Sequence, residues 1–162
     1  MSAHPAVVVT PYNPEWPALF ASLRDRVAPA LRGIAMAIEH VGSTSVAGLA
    51  AKPVIDIDVV VPDLACAIRA SEALRTVGYT PLGDLGIPER FAFSAPTELP
   101  RHNLYVVLAG CLSLRNHLRL RDHLRSHPED VEKYGAVKRE LAERHPDDVS
   151  AYCTAKTAVL LG

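Results

Sequence analysis

The sequence predicts an α+β domain, and three observations lead to this prediction. An amphipathic helical pattern comes first and several strand-like segments follow, without regular alternation of helix and strand. One of these segments is a β-branched run typical of a strand buried in a sheet. From Ser113 onward the pattern is helical only. We therefore expect one domain of 162 residues, a mixed sheet flanked by helices over about 1–110 and a C-terminal helical tail over about 111–162.

The first 41 residues predict an arm, a helix and a strand. Residues 6–10 read as a short strand or extended arm, and the proline-rich segment 11–17 reads as a turn with helix capping near Asn13. Apolar residues then recur at helical spacing, at Leu19, Phe20, Leu23, Val27, Ala30 and Leu31. Pro29 is expected to shorten or kink the end of this helix. Residues 34–41 predict the first core strand.

Two acids interrupt the next strand. The run 53–61 is apolar and β-branched except at Asp56 and Asp58. Side chains two apart on a strand point to the same side, at positions about 7 Å apart. Two anions on an apolar strand are costly unless a cation lies between them. The pattern therefore favours a metal or ligand site, and the alternative is a structural pairing of both acids with Lys or Arg.

A small-residue turn lies just upstream of this strand. The sequence Gly42-Ser43-Thr44-Ser45 is suited to a tight turn followed by a short helix, whose free N–H groups would receive phosphate oxygens. A phosphate-accepting turn beside Asp-x-Asp is what metal-dependent phosphoryl or nucleotidyl transfer requires. The alternative is an ordinary helix N-cap that uses Ser43 or Thr44.

The remaining elements follow from turn residues and periodicity. Pro62 and Asp63 open a second helix that Gly78 ends, and its inner side is predicted to carry Leu64, Ala67, Ile68, Leu74 and Val77. Shorter strand candidates are residues 79–82, 90–94 and 103–108. The tail is predicted as three helices, at 113–126, 128–144 and 148–161.

Each tail helix has a cation inside its apolar stripe. At 100° per residue these cations are Arg121, Lys138 and Lys156. His117 lies beside the first of them. A cation on a core-facing stripe must find an anion or extend to water, and a single case would be explained in that way. Three consecutive cases indicate cations gathered on one side, with Asp56, Asp58 and a bound phosphate as partners. The solvated basic face is predicted to comprise Arg115, Arg119 and Arg125.

Composition excludes several classes of function. A net charge of −1 and a pI near 6.6 leave no overall basic field, which argues against nucleic acid as a partner. The three cysteines are dispersed, which favours a reducing compartment over a disulfide framework or a zinc site. There is no signal-peptide pattern and no apolar run near the roughly 20 residues that span a bilayer. We expect a soluble cytoplasmic protein without a membrane partner.

The motifs together resemble those of the GrpB family. The matching segments are VTPYNPEWP at 9–17, EHVGSTSV at 39–46, GLAAKPVIDI at 48–57 and LRDHLRSHP at 120–128, with Tyr134, Lys138, Tyr152 and Lys156 further on. The resemblance implies a nucleotidyltransferase-like mixed sheet flanked by helices. It also implies that Gly42 and Ser43 hold a triphosphate, and that Asp56 and Asp58 bind a divalent metal.

The resemblance also implies a carboxylate that this sequence lacks. Nucleotidyltransferases typically add a third acid from a later strand, which completes the metal site and helps to activate the attacking hydroxyl. Here that strand would be 103–107, which contains no acid. Members of the GrpB family usually have an H-x-H pattern there, whereas this sequence has Asn103 and Tyr105 and keeps only the neighbouring His102. Either of two loop residues could substitute, Glu89 or Glu98.

The leading hypothesis is a protein that binds a nucleotide or a phosphorylated small molecule and could transfer a nucleotidyl group. Asp56 and Asp58 would be its catalytic residues and its ligands to Mg²⁺, with Mn²⁺ as the alternative ion. The phosphates would be bound by Gly42, Ser43, Thr44, Lys52, His102, Arg121, Lys138 and Lys156. The alternative is a catalytically inactive ligand-sensing or protein-interaction domain on the same fold, which the missing third acid supports.

Overall fold

A five-stranded mixed sheet forms the centre of the computed structural model, which describes residues 8–144. Its strands are β1 (Ala37–Val41), β2 (Ile55–Val61), β3 (Thr80–Gly83), β4 (Arg90–Ser94) and β5 (His102–Leu108). They lie in the order β1-β2-β5-β4-β3. The central pair β2 and β5 is parallel, and the other neighbouring pairs are antiparallel. The predicted α+β architecture is therefore confirmed.

Helices lie on both faces of this sheet. They are α1 (Trp16–Leu31), α2 (Leu64–Thr76), α3 (Leu112–Ser126) and α4 (Pro128–Arg144), with a three-residue 3₁₀ turn at Ser43–Ser45 between β1 and β2. The predicted helix at 148–161, which contains Lys156, lies outside the described residues, as does the start of the predicted arm. Within residues 8–144, none of the helices has the length and apolarity that crossing a membrane would require.

The main core lies between the sheet and helices α1 and α2. Strand alternation directs to this face the side chains of Ile55, Ile57, Val59, Val61, Leu104 and Val106, all of which are buried. The side chain of Asp63 caps α2 by accepting a hydrogen bond from the Cys66 amide at 2.8 Å, as expected for the residue that opens the helix.

Two of the residues predicted on the inner side of α2 are exposed instead. Leu64 and Ile68 are 55% and 56% exposed, whereas the helix buries Ala67, Ala70 and Leu74. Both stripes fit a helical period, and the stripe that contains two alanines allows α2 to pack closely on the sheet. The prediction was wrong for these two residues because it assigned the larger apolar side chains to the contact between α2 and the sheet, whereas they lie outside that contact.

The opposite face of the sheet carries the acids of β2 and is covered by α3. Val60, Val107 and Leu114 form a small buried cluster between the sheet and this helix. Next to that cluster the contact becomes polar, because Asp56 and Asp58 alternate with the core residues of β2. This polar part of the second face is where the predicted site residues converge.

Candidate functional site

The two acids of β2 lie side by side but in different environments. Asp58 is completely buried, whereas Asp56 is half-buried and lines a cavity. The parallel register places Asn103 beside Asp56 and Tyr105 beside Asp58 on β5. The Nδ2 atom of Asn103 donates to Oδ1 of Asp56 at 2.9 Å. The strand predicted to supply a third acid, β5, is therefore the neighbour of β2. Next to Asp56 it presents the side-chain amide of Asn103 and not a carboxylate.

Tyr105 places a neutral group beside Asp58. The guanidinium of Arg90 lies over its ring, 4.4 Å from the ring centroid. Burial raises the pKa of the Tyr105 hydroxyl, and the negative charge of Asp56 raises it further. The phenol therefore stays protonated at neutral pH and adds no charge beside Asp58.

Gly42 brings the turn into contact with Asp56. Its backbone has φ +75° and ψ −176°, a region open essentially to glycine alone. A Cβ atom built at this position would collide with Oδ2 of Asp56 and would lie 3.1 Å from Asp56 Cβ. The absence of a side chain at position 42 is therefore what lets the turn pack directly on the carboxylate.

Thr44 has a structural role within the same turn. Its buried Oγ1 lies 2.9 Å from Nε2 of His40, which donates to it, and it donates to the carbonyl of Val54 at 3.4 Å. Gly42 is the N-cap of the short 3₁₀ turn and makes no side-chain cap, so the capping alternative for Ser43 or Thr44 is wrong. The Thr44 hydroxyl is occupied, whereas Ser43, which precedes it in the turn, is half-buried.

His40 links this turn to α1 and is held neutral. Its ring stacks on Phe20 at 4.7 Å. Burial, followed by the positive charges of Arg125 and Arg121, lowers the pKa of His40 from 6.5 to about 4. Arg125 is exposed, as predicted for a solvated face, and it also donates from Nε and Nη2 to the carbonyl of Ser45 at 3.0 and 2.8 Å. The turn is therefore fixed from two sides.

Acidification should destabilise the protein through His40. In the unfolded chain its pKa is near 6.5 and in the fold about 4, so only the unfolded state gains a proton as the pH falls between these values. Between pH 7.5 and 4.5 we expect His40 to account for about 2–3 kcal/mol of lost unfolding free energy. Urea unfolding of the wild type and of His40→Gln, whose amide can still donate to Thr44, measures this share. Equal losses in both proteins would exclude His40 as the group responsible.

Helix α3 places two further side chains on the acidic face. Nδ1 of His117 donates to Oδ2 of Asp58 at 2.7 Å. One turn later, Nη1 of Arg121 donates to Oε2 of Glu39 at 2.7 Å and to the carbonyl of His40 at 3.1 Å. Since Glu39 and Asp58 are neighbours in the β1–β2 register, His117 and Arg121 dock α3 on one row of carboxylates.

A cavity of about 480 Å³, which we call the Asp56 cavity, opens between the turn, the strands and the two C-terminal helices. It brings together six of the predicted site residues: Gly42, Ser43, Thr44, Lys52, Asp56 and Lys138. His117, Arg101, Asn103 and Tyr134 also line it. Lysine and arginine outnumber carboxylates on these walls, which suits an anionic ligand.

Lys138 is almost completely buried, with 1% exposure. Its Nζ lies 5.3 Å from the ring centroid of Tyr134, at a distance suited to a cation–π contact. Lys138 therefore lies on the side of α4 that faces the acid-bearing face of the sheet, as the helical periodicity predicts.

Two other predicted phosphate ligands, His102 and Arg121, do not line this cavity. His102 projects to the opposite face of the sheet, where Nε2 accepts from the Tyr79 hydroxyl at 2.7 Å and Nδ1 donates to the Pro100 carbonyl at 2.6 Å. Both ring nitrogens are used there, so the structure does not bring His102 to the Asp56 cavity. Arg121 is paired with Glu39 and lines a smaller adjoining cavity with Gly42 and Ser43. Lys156 lies outside the described residues.

The acids of β2 fit a Mg²⁺ ion that takes most of its ligands from water and substrate. Oδ1 of Asp58 is buried and has no hydrogen-bond partner, as expected of an oxygen directed at a cation. Mg²⁺ commonly binds through one or two carboxylates together with phosphate oxygens and waters. Among residues 8–144 no group of three or more His, Cys, Asp or Glu side chains forms a cage for a metal. Neither Glu89 nor Glu98 lines the Asp56 cavity.

His117 is the residue that sequence reasoning missed. The only signal was its position beside Arg121 inside the apolar arc of α3. Helical periodicity could place it against the sheet but could not identify its partner, because Asp58 is 59 residues away in the sequence.

Residues 6–161 match the protein family described as GrpB protein. The chain is 33% identical over 145 residues to YqkA of Bacillus subtilis, a match that covers 90% of this chain and 42% of that relative. The chain therefore spans less than half the length of YqkA.

Two solved structures show the same fold. The crystal structure of GrpB from Enterococcus faecalis superimposes with a TM-score of 0.81 at 30% identity, over 90% of this chain and 88% of that chain. The poly(U) polymerase Cid1 with bound MgGTP superimposes with a TM-score of 0.59 at 17% identity, over 84% of this chain and 45% of that chain. The second likeness shows that the fold is nucleotidyltransferase-like.

Proposed function

The chain is a member of the GrpB family with a nucleotidyltransferase-like fold, and on this premise we propose that it binds a nucleotide or a phosphorylated small molecule with Mg²⁺ in the Asp56 cavity. The observation that carries the proposal is the convergence in one cavity of the turn residues Gly42 and Ser43, the acid Asp56 and the cations Lys52 and Lys138. These residues come from four separate segments of the chain.

Each group has a distinct part in this proposal. Ser43 and the turn backbone contact phosphate oxygens, while Lys52, Arg101 and Lys138 neutralise their charge. Asp56 and Asp58 hold the ion, which when bound neutralises the phosphates and makes phosphorus more susceptible to attack. If the protein transfers a nucleotidyl group, the acceptor oxygen forms a bond to the α-phosphorus as the bond from that phosphorus to pyrophosphate breaks.

The experiment that tests the proposal is a thermal-shift panel of nucleotides with and without Mg²⁺ or Mn²⁺. A ligand at 100 times its dissociation constant stabilises the fold by about 2.7 kcal/mol, which for a chain of this size is roughly 5–10 °C in Tm. We expect a metal-dependent shift with one nucleotide in the wild type and its loss in Asp58→Asn. A flat panel in the wild type would contradict the proposal.

A second candidate is a catalytically inactive ligand-sensing domain, which Asn103 favours. The amide of Asn103 occupies an oxygen of Asp56 at the position where a third carboxylate would complete the metal site. Two results together would support this candidate. A nucleotide would bind in the thermal-shift panel, and no pyrophosphate would be released with any acceptor.

Asn103→Asp should convert the site into a tighter metal binder. The change replaces a hydrogen-bond donor with an anion beside Asp56, so without metal the protein should lose about 1–2 kcal/mol of unfolding free energy. With Mn²⁺ the third carboxylate should raise metal affinity at least tenfold over the wild type, as measured by calorimetric titration. Asn103→Ala, which loses only the hydrogen bond, is the matched control. No gain in affinity would show that position 103 does not face the ion.

A further inference from the structure

His117 makes a contact that the proposed ligand set does not explain. It lies on α3, lines the Asp56 cavity and reaches across to a carboxylate that is completely buried. Nδ1 of the ring is 2.7 Å from Oδ2 of Asp58, at the short end of the range for hydrogen bonds to a carboxylate. Since a carboxylate oxygen only accepts, the Nδ1–H tautomer is fixed by this bond.

This bond makes the two oxygens of Asp58 unequal. Oδ2 is taken by His117, and Oδ1 is buried without any hydrogen-bond partner. A carboxylate held by one oxygen cannot rotate about its Cβ–Cγ bond without breaking the hydrogen bond. Its remaining oxygen is therefore presented in a fixed direction, on the same side of β2 as Asp56.

Asp56 is held in a comparable way. Its Oδ1 accepts from Nδ2 of Asn103, a residue on the neighbouring strand. Each acid of the Asp-x-Asp strand thus accepts a hydrogen bond from a side chain on another element, β5 for Asp56 and α3 for Asp58. Groups that donate to metal-binding carboxylates in this manner orient them, and their loss typically weakens metal binding by about 10–100-fold.

We propose that His117 is a positioning residue for a divalent cation, because it locks Asp58 so that Oδ1 faces the ion. The inference rests on the metal site of the proposed function and adds to it a residue of α3. It also explains the unpartnered buried oxygen, which would be a cost without benefit if the Asp58–His117 pair were purely structural.

The test is a direct titration of the protein with Mn²⁺ alone, followed by the electron paramagnetic resonance signal of free Mn²⁺. We expect binding to be about 10–100-fold weaker in His117→Ala than in the wild type. In His117→Asn, the amide Nδ2 takes a place close to that of the imidazole Nδ1, so we expect affinity within a few-fold of the wild type. Rescue by Asn identifies the hydrogen bond, not the ring, as the important feature.

His123→Ala is the matched control. His123 lies on the same helix and also forms a 2.7 Å pair with an aspartate, Asp130, but this pair is exposed and outside the Asp56 cavity. We expect Mn²⁺ affinity to be unchanged in this variant. Urea unfolding of all variants separates loss of stability from loss of binding. If His117→Ala does not fold, His117→Leu, which fills the space but cannot donate to Asp58, replaces it with the same expected loss of affinity.

The outcomes distinguish the two proposals. Wild-type protein that binds no Mn²⁺ would overturn the metal site and, with it, the role of His117. Wild-type binding that persists at equal affinity in His117→Ala would overturn the role of His117 alone. Equal weakening in His117→Ala and His123→Ala would also overturn it, because a general loosening of α3 would then explain the result.

Discussion

Gly42→Ala should cost about 3–5 kcal/mol of unfolding free energy, the largest effect that we expect from a single methyl group in this protein. The backbone of Gly42 lies in a region that costs other residues about 1–3 kcal/mol, and the added Cβ would collide with Asp56. Overpacking of this kind adds about 1–3 kcal/mol. Urea unfolding measures the total, and any ligand response of the thermal-shift panel should be lost because the carboxylate must move.

Gly33→Ala is the control for this substitution. Gly33 also has a positive φ, +76°, but a Cβ atom there would meet nothing within 4 Å. We expect a loss of about 1 kcal/mol from the backbone alone. Similar losses at positions 42 and 33 would contradict the role of the contact with Asp56. In Gly42→Ala combined with Asp56→Ala, part of the loss should be recovered, since Oδ2 is removed.

Lys138→Met should weaken the binding of a polyphosphate at least tenfold, equivalent to about 1.4 kcal/mol. The Lys138 side chain is nearly fully buried and lines the Asp56 cavity, so its charge acts on a bound anion with little screening by water. Methionine keeps the length and apolar part of the side chain while removing the charge. Calorimetric titration with inorganic tripolyphosphate measures the affinity, and urea unfolding establishes that the variant is folded.

The matched control for this charge is Lys133→Met, on the exposed side of the same helix. This substitution changes the net charge of the protein by the same amount, but Lys133 is not among the residues that line the Asp56 cavity. We expect little change in affinity at 0.15 M salt, where exposed charges are screened. If both variants weakened binding to the same extent, the effect would come from overall charge and not from the cavity.

Local patterns were sufficient to predict the part of the site that is continuous in sequence. The turn at Gly42 and the acids Asp56 and Asp58 follow from strand alternation and from residue types that suit a tight turn. The α+β order and the packing of Lys138 toward the sheet follow from periodicity. Each of these features depends on residues within about two turns or one strand of each other.

Features that depend on distant partners could not be predicted in the same way. Helical periodicity predicted that Arg121 faces the sheet. Whether its partner would be a phosphate or Glu39 depended on the register of β1 against β2. The position of His102 could not be predicted for a related reason, because a shift of one residue along a strand moves a side chain to the other face of the sheet. The neighbouring Asn103 therefore reaches Asp56, while His102 is directed into the opposite core.

The parallel pairing of β2 with β5 has a consequence for how the protein is made. The hydrogen bond between Asn103 and Asp56 spans 47 residues, and that between His117 and Asp58 spans 59. Contacts of this sequence separation form late, because a long loop must close before they contribute any stability. A nascent chain would thus carry both acids of β2 before α3 and α4 exist to cover them. Newly made protein should gain its ligand response only together with its final compact state, in one cooperative step.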